Sequence, residues 1–238
     1  AFGNSGYLPF SLVIAIAASA PLFQNDSGAA DRGIAYISVY LVCYSPCLWG
    51  IGFPYLANQR LGRLSLRHVV SPPIVSVVIG ILIGVIGPLR ALFVAEGAPL
   101  RVLLDTADFI GTATIPCSLL ILGANLGAAT GSGHESLSAR TFSAVISARL
   151  ILAPVVGTLL VLGFVRLGFV PDDPMCVLVL LIEGAVPPAT NLIVMCQIHH
   201  KGEAAMSKVL LWSYVASVIT LTGFLTLFLW LAGNLTGG

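Results

Sequence analysis

Seven long apolar runs, joined by short polar connections, leave this chain few ways to fold in water. They cover roughly Ala1–Phe23, Ile34–Ala57, Ile74–Val94, Val102–Ala128, Thr141–Leu167, Met175–Ile198 and Ala205–Leu231. A membrane-crossing helix needs about 20 mostly apolar residues, at ~1.5 Å each, to match a ~30 Å hydrocarbon core. Each run meets that length. Apolar residues fill 57% of the 238 positions and charged ones only 9%, against roughly 25% charged in an ordinary soluble domain. So little charge cannot clothe a water-facing surface, which excludes a soluble globular domain. The formal net charge of +1 exerts no pull on nucleic acid. Cys43, Cys47, Cys117, Cys176 and Cys196 are scattered through apolar runs and make neither a disulfide framework nor a zinc pattern. The expected class is an all-α polytopic membrane protein with seven transmembrane helices in a lipid bilayer. No cofactor, metal, catalytic group or nucleic-acid partner is expected.

Orientation follows from the basic residues of the connections. Arg60, Arg63, Arg67, Arg140, Lys201 and Lys208 sit on one side of the expected topology. Arg32, Arg90, Arg101 and Arg166 sit on the other, diluted by Asp26, Asp31, Glu96, Asp172 and Asp173. That bias makes the loop 58–73 cytoplasmic and the C-terminus lumenal or extracellular. The Asn25-Asp26-Ser27 and Asn234-Leu235-Thr236 sequons then share the non-cytoplasmic face, close to span ends where glycan attachment is not expected.

Two spans contain residues that a lipid-embedded helix does not tolerate without a reason, because every backbone N–H and C=O there must find a partner. The first opens Gly3-Asn4-Ser5-Gly6-Tyr7-Leu8-Pro9. The sixth, 175–198, reads Glu183-Gly184-Ala185-Val186-Pro187-Pro188-Ala189-Thr190-Asn191 at its centre. Adjacent prolines remove two donors and clash with the carbonyls four residues back. The helix is expected to stop near Val186 and to restart at Pro187 or Pro188, where proline suits a first turn. Discontinuous helices are the best sequence pointer to a transporter's binding site, and a restarted half-helix turns a positive dipole end towards an anion. The breaks lie five spans apart. A five-span unit forces its second copy to be inverted, which predicts a ten-helix carrier built as a 5+5 inverted repeat with two crossed broken helices. On that scheme residues 1–57 are the last two helices of the first repeat, with 1–23 broken, and three spans precede them. Residues 58–73 are the loop, 74–231 the second five-helix repeat and 232–238 the tail.

These segments resemble the auxin efflux carrier family, most closely its PIN-like (PILS) branch and fungal counterparts. Gly3-Asn4-Ser5-Gly6-Tyr7-Leu8-Pro9 is similar to that family's Gly-Asn-x-Gly-Asn-Leu-Pro crossover, with Tyr7 where plant members carry Asn. Ala113-Thr114-Ile115-Pro116 with Leu122-Gly123-Ala124-Asn125-Leu126 resembles a second motif of that branch. Pro187-Pro188-Ala189-Thr190-Asn191, Gln197 and Trp212-Ser213-Tyr214 resemble its closing motif. The resemblance implies a secondary carrier of a small organic anion, auxin-like if the source is a plant or alga. It also implies elevator-type alternating access, a homodimer, and the endoplasmic reticulum membrane, with the plasma membrane as the alternative. Asn4, Ser5, Gly6, Pro9, Pro187, Pro188 and Asn191 would line the substrate site. The third and fourth spans would form the scaffold, and the others present would move.

Glu183, Asp108 and Arg149 are candidates for ion or proton coupling, since a charge at mid-membrane costs about 2.5–3.5 kcal/mol on insertion scales. For Glu183 the alternative is a helix-end or carbonyl-pairing role; Arg149 needs an anionic or carbonyl partner, and pairing with Glu183 or Asp108 is weighed equally with contact with substrate. Asp105, three residues from Asp108, is read as a solvated entrance. Thr112 and Asn125 are expected to satisfy carbonyls freed by Pro116, and Tyr214 and Ser217 to serve helix packing or helix-helix hydrogen bonding. Gly80, Gly84 and Gly87 form a small-residue face. His199, His200 and Glu203 are read as a loop and not as metal ligands. A seven-transmembrane receptor is the rival suggested by the span count, but its Asp/Glu-Arg-Tyr and Asn-Pro-x-x-Tyr signatures are absent from the corresponding spans. An intramembrane enzyme lacks any Gly-x-Ser-x-Gly or His-Glu-x-x-His sequence.

Overall fold

The computed structural model describes residues 2–52, 72–113, 116–117, 120, 124, 137–199 and 202–235. Within them the regular elements are helices: α1 (Tyr7–Ser19), α2 (Ala29–Cys47), α3 (Pro72–Val85), α4 (Gly87–Phe93), α5 (Arg101–Thr112), α6 (Ala139–Ser147), α7 (Ala153–Arg166), α8 (Pro174–Ala185), α9 (Asn191–His199) and α10 (Glu203–Leu235). A π-helical stretch, Ala148–Leu152, welds α6 to α7, and another, Leu48–Gly52, extends α2. The continuous helices Ala29–Gly52, Ala139–Arg166 and Glu203–Leu235 are long and apolar enough to cross a membrane. They carry many exposed large apolar side chains, among them Val39, Leu159, Ile219 and Trp230. A water-soluble surface does not present so much contiguous apolar area, whereas a lipid-facing one does. Leu8–Ser19 and Pro174–Ala185 are shorter apolar helices.

The chain forms two compact units, one of Ala1–Leu41 with Asn125–Gly238 and one of Val42–Ala124. In the first, α8 is the central rod. Met175, Val177, Leu178, Leu181 and Ile182 are all almost wholly buried, against α1, α7 and α10. Between lipid-embedded helices close approach rather than water exclusion supplies the attraction, so small residues mark the contacts. Gly157 of α7 and Gly184 of α8 face each other, and a Cβ built on either would lie 3.4–3.5 Å from the other's Cα. A Cβ on Gly33 of α2 would collide with Val13 of α1 and press on Met175 of α8.

In the second unit the expected continuous span Ile74–Val94 is corrected. Ile86 is extended (φ −84°, ψ 109°) and separates α3 from α4, whose first turn carries Pro88. That proline lacks the N–H needed to continue α3 and starts a new helix instead. A Cβ at Gly80, Gly84 or Gly87 would meet nothing within 4 Å, so the small-residue face is open among the described residues. Thr112 donates to the Phe109 carbonyl at 2.6 Å rather than to one freed by Pro116. Asn125, the arginines 60, 63 and 67, His200 and Lys201 lie outside the described residues.

Candidate functional site

Both interrupted segments unwind where the sequence predicts, and they meet. α8 stops at Ala185, and Val186 turns extended (φ −61°, ψ 147°). Residues 2–5 are likewise non-helical ahead of α1. Gly3 and Pro188 form an isolated antiparallel β-bridge. Asn4 N–H donates to the Pro187 carbonyl at 2.8 Å, and Ala189 N–H donates to the Phe2 carbonyl at 3.0 Å. Each strand thus satisfies polar backbone that the other's break exposes, which is what irregular backbone at membrane depth requires. This pairing also corrects the restart point. Pro187 and Pro188 are held extended against the first segment, so α9 begins only at Asn191.

Polar side chains gather round the bridge. Asn4 and Ser5 are buried, and the Asn4 amide donates to the Tyr214 hydroxyl of α10 at 2.7 Å. Tyr214 is therefore a crossover residue and not packing alone; Ser217, three residues on, donates to the Tyr214 carbonyl. Pro9, Pro187 and Pro188 are buried, while Gly6 and Asn191 are partly exposed at the rim. Arg149 is 8% exposed. Its guanidinium donates at 2.6 Å to the Val186 carbonyl, an acceptor released by the break in α8.

Local chain geometry aims that arginine. In the π-stretch the Ala153 N–H reaches back five residues to the Ala148 carbonyl. Such widened turns reset which side chains face a neighbour, and Pro154 follows immediately in the buried surface of α7. Gly3 leaves the space that the guanidinium occupies, since a Cβ there would collide with Arg149. Glu183 is 4% exposed and adjoins Ser5 and Arg149. The Glu183 carboxylate and the Ser5 hydroxyl are buried side by side, with Ser5 the nearest hydrogen-bonding side chain to Glu183 among the described residues.

Asp108 lies exposed on α5, in the other unit, and Asp105 pairs loosely with Arg101 at 3.8 Å. An open cleft of about 510 Å³ lined by Ile14, Ala17, Phe23 and Asp26 lies along the C-terminal end of α1, away from the bridge.

The sequence reading missed a second polar cluster. Arg32 bonds to Asp26 at 2.5 Å and to Asp173 at 2.9 Å, and the Tyr36 hydroxyl donates to Asp173 at 2.8 Å. Asp173 also caps α8, accepting from Met175 N–H at 2.9 Å. The Arg32 hydrogen bond is the main influence holding the Asp26 carboxyl below its ordinary range. Burial pushes Asp173 up, but Arg32, Tyr36 and the Met175 N–H together hold it below the usual carboxylate value. The Asp173-Pro174 pair was the legible signal, an N-cap residue followed by proline at a helix start.

Comparison with known proteins decides the family. The membrane transport protein family matches residues 56–225. The chain belongs to that family. Its resemblance to the auxin efflux carriers and their PIN-like branch is borne out. Protein PIN-LIKES 3 of Arabidopsis thaliana is 36% identical over 169 residues, covering 71% of this chain and 43% of the relative. Protein PIN-LIKES 4 of the same plant is 37% identical over 172 residues, covering 71% and 41%. An uncharacterized transporter of Saccharomyces cerevisiae is 25% identical across 96% of this chain and 72% of its own length. The chain spans less than half the length of those PIN-LIKES relatives. No solved structure matches it.

Proposed function

We propose that this member of the membrane transport protein family is a secondary carrier whose substrate, a small organic anion of the auxin-like carboxylate class, binds at the crossover. The observation that carries the reading is the Gly3–Pro188 bridge, which joins two helix breaks beside the buried Arg149. A buried guanidinium favours a carboxylate, and the α9 N-terminus adds its positive dipole end. Asn4, Ser5, Gly6, Pro9, Pro187, Pro188 and Asn191 line the site in this reading, with Tyr214 added by its bond to Asn4.

The full carrier has ten helices in two inverted repeats, seven of them in this chain, and works as a homodimer in the endoplasmic reticulum membrane with loop 58–73 cytoplasmic. The division into two units supports elevator-type movement in part: Val42–Ala124 holds the third span and most of the fourth, together with the end of the second, and the crossover lies wholly in the other. Uptake of radiolabelled indole-3-acetate into vesicles containing the full-length protein tests the proposal. Asn191→Ala and Pro188→Ala are expected to reduce uptake at unchanged protein levels. Wild-type rates in both variants would refute the site.

A further inference from the structure

Tyr214 and Asn4 lie 210 positions apart and share one hydrogen bond, 2.7 Å long. In it the Asn4 amide donates and the phenolic oxygen accepts, so the Tyr214 O–H hydrogen is left over for a further partner. Among the described residues no acceptor meets that hydrogen. A phenol that accepts one hydrogen bond donates the next more strongly, because the first polarises its O–H. A donor shut away from water with nothing to receive it is costly, so a hydroxyl set up in this way calls for an acceptor from outside the fold.

The pair is anchored at its deep end. Asn4 is buried, and its main-chain N–H donates to the Pro187 carbonyl at 2.8 Å. Tyr214 is only half-buried, which makes it the more accessible of the two. Ser5, the next polar side chain of the first broken segment, adjoins Glu183 instead. Arg149 donates to the Val186 carbonyl and lies near the phenol, on which it acts through its charge. That charge favours a negative acceptor beside Tyr214 over a neutral one, whatever bonds the guanidinium itself makes.

We propose that the Tyr214 hydroxyl donates a hydrogen bond to the carboxylate of the transported anion, and that Asn4 is the positioning residue that holds the phenol for it. No covalent bond forms and the phenol keeps its proton. Hydrogen bonds to a charged acceptor are about twice as strong as those between neutral groups, so this contact separates a carboxylate from its neutral amide of nearly the same shape. Tyr214 is thereby a determinant of specificity for the acid. The inference deepens the carrier reading above and rests on it in taking the ligand to be a carboxylate.

The test measures binding of indole-3-acetate and of its neutral amide, indole-3-acetamide, to the full-length protein in lipid nanodiscs. Wild type is compared with Tyr214→Phe and with a protein carrying 3-fluorotyrosine at position 214. Fluorine makes the phenol a stronger donor and a weaker acceptor, and near pH 6 the ring keeps its proton. Y214F is expected to bind indole-3-acetate roughly 10- to 100-fold more weakly, and the amide by less than about tenfold, so that preference for the acid narrows. The fluorinated protein is expected to bind indole-3-acetate more tightly than wild type. A tyrosine that served only as the acceptor for Asn4 would give the opposite result, because fluorine weakens that bond. Equal losses for acid and amide in Y214F, or fluorinated protein that binds the acid no better than wild type, would overturn the inference. Should Y214F not fold, the fluorinated protein decides alone. Wild type that binds neither compound would overturn the carrier reading itself, whereas wild type that binds the acid beside an equally tight Y214F would overturn only the role given to Tyr214.

Discussion

Replacing Asp173 with alanine strips three interactions from the start of α8. The cap on Met175 N–H, 2.9 Å long, is worth about 1 kcal/mol. The Tyr36 hydroxyl bond at 2.8 Å goes to a charged acceptor and is worth about 1.5 kcal/mol. The Arg32 pair joins side chains 40% and 15% exposed, so solvent screening holds it to about 0.5 kcal/mol. Together these come to about 3 kcal/mol, or a fall of roughly 6–12 °C in the thermal midpoint for a chain of this size. Asp173→Asn keeps one oxygen, enough for the cap but not for Tyr36 and Arg32, which bond the other carboxylate oxygen, so it should cost about two thirds as much. Intrinsic tryptophan fluorescence during heating in detergent measures both. An alanine variant within about 1 °C of wild type, or an asparagine variant equally damaged, would refute this apportionment.

The same cluster fixes a pH dependence. Asp26 and Asp173 are both held below their ordinary values in the folded protein. Carboxylates of this kind contribute fully above the unfolded value of about 3.9, and the contribution drains away as pH falls through the lower folded value. The midpoint is therefore expected to be insensitive to this cluster near neutrality and to drop on acidification below about pH 4, less steeply in Asp173→Ala. A cluster contribution that grows in acid would contradict the sign.

Gly3→Ala places a methyl group where the Arg149 guanidinium lies; indole-3-acetate uptake should collapse while expression and membrane insertion persist. Asn4→Ala and Tyr214→Phe each break one shared 2.7 Å bond. In a double-mutant cycle on thermal stability they should therefore couple by about 1 kcal/mol; simple additivity would show that the bond contributes nothing. Gly157→Ala should fold and transport normally, since its methyl group meets Gly184 at an ordinary van der Waals distance. Gly157→Leu should force α7 from α8, pull Arg149 off Val186 and abolish uptake, measured against the amount of protein in the vesicle membrane.

Local chemistry made the two breaks readable. Adjacent prolines cannot continue a helix wherever they stand, so the stop beside Val186 follows from two residues alone. The restart at Asn191 depends on Phe2 and Asn4, nearly two hundred positions away, and no window of sequence contains that pairing. Arg149 was visibly out of place in an apolar run and in need of an anionic or carbonyl partner; that the Val186 carbonyl is one such acceptor follows only from the end of α8, which frees it. Tyr214 was readable as a packing or hydrogen-bonding residue, but that its partner is Asn4 across the fold could not be read from any window of sequence. The break at Ile86 was legible in principle: Gly87 stands out as a small residue beside Gly80 and Gly84, but the missing N–H of the adjoining Pro88 matters more.

The knot that ties the two halves of the candidate site is made of main-chain atoms: two amide hydrogens and two carbonyl oxygens, donated without regard to what any side chain is. Lineages descended from such a skeleton can exchange the groups that meet the cargo one at a time while the scaffold that presents them stays assembled. A single architecture can in this way be retuned to new metabolites by ordinary point substitutions.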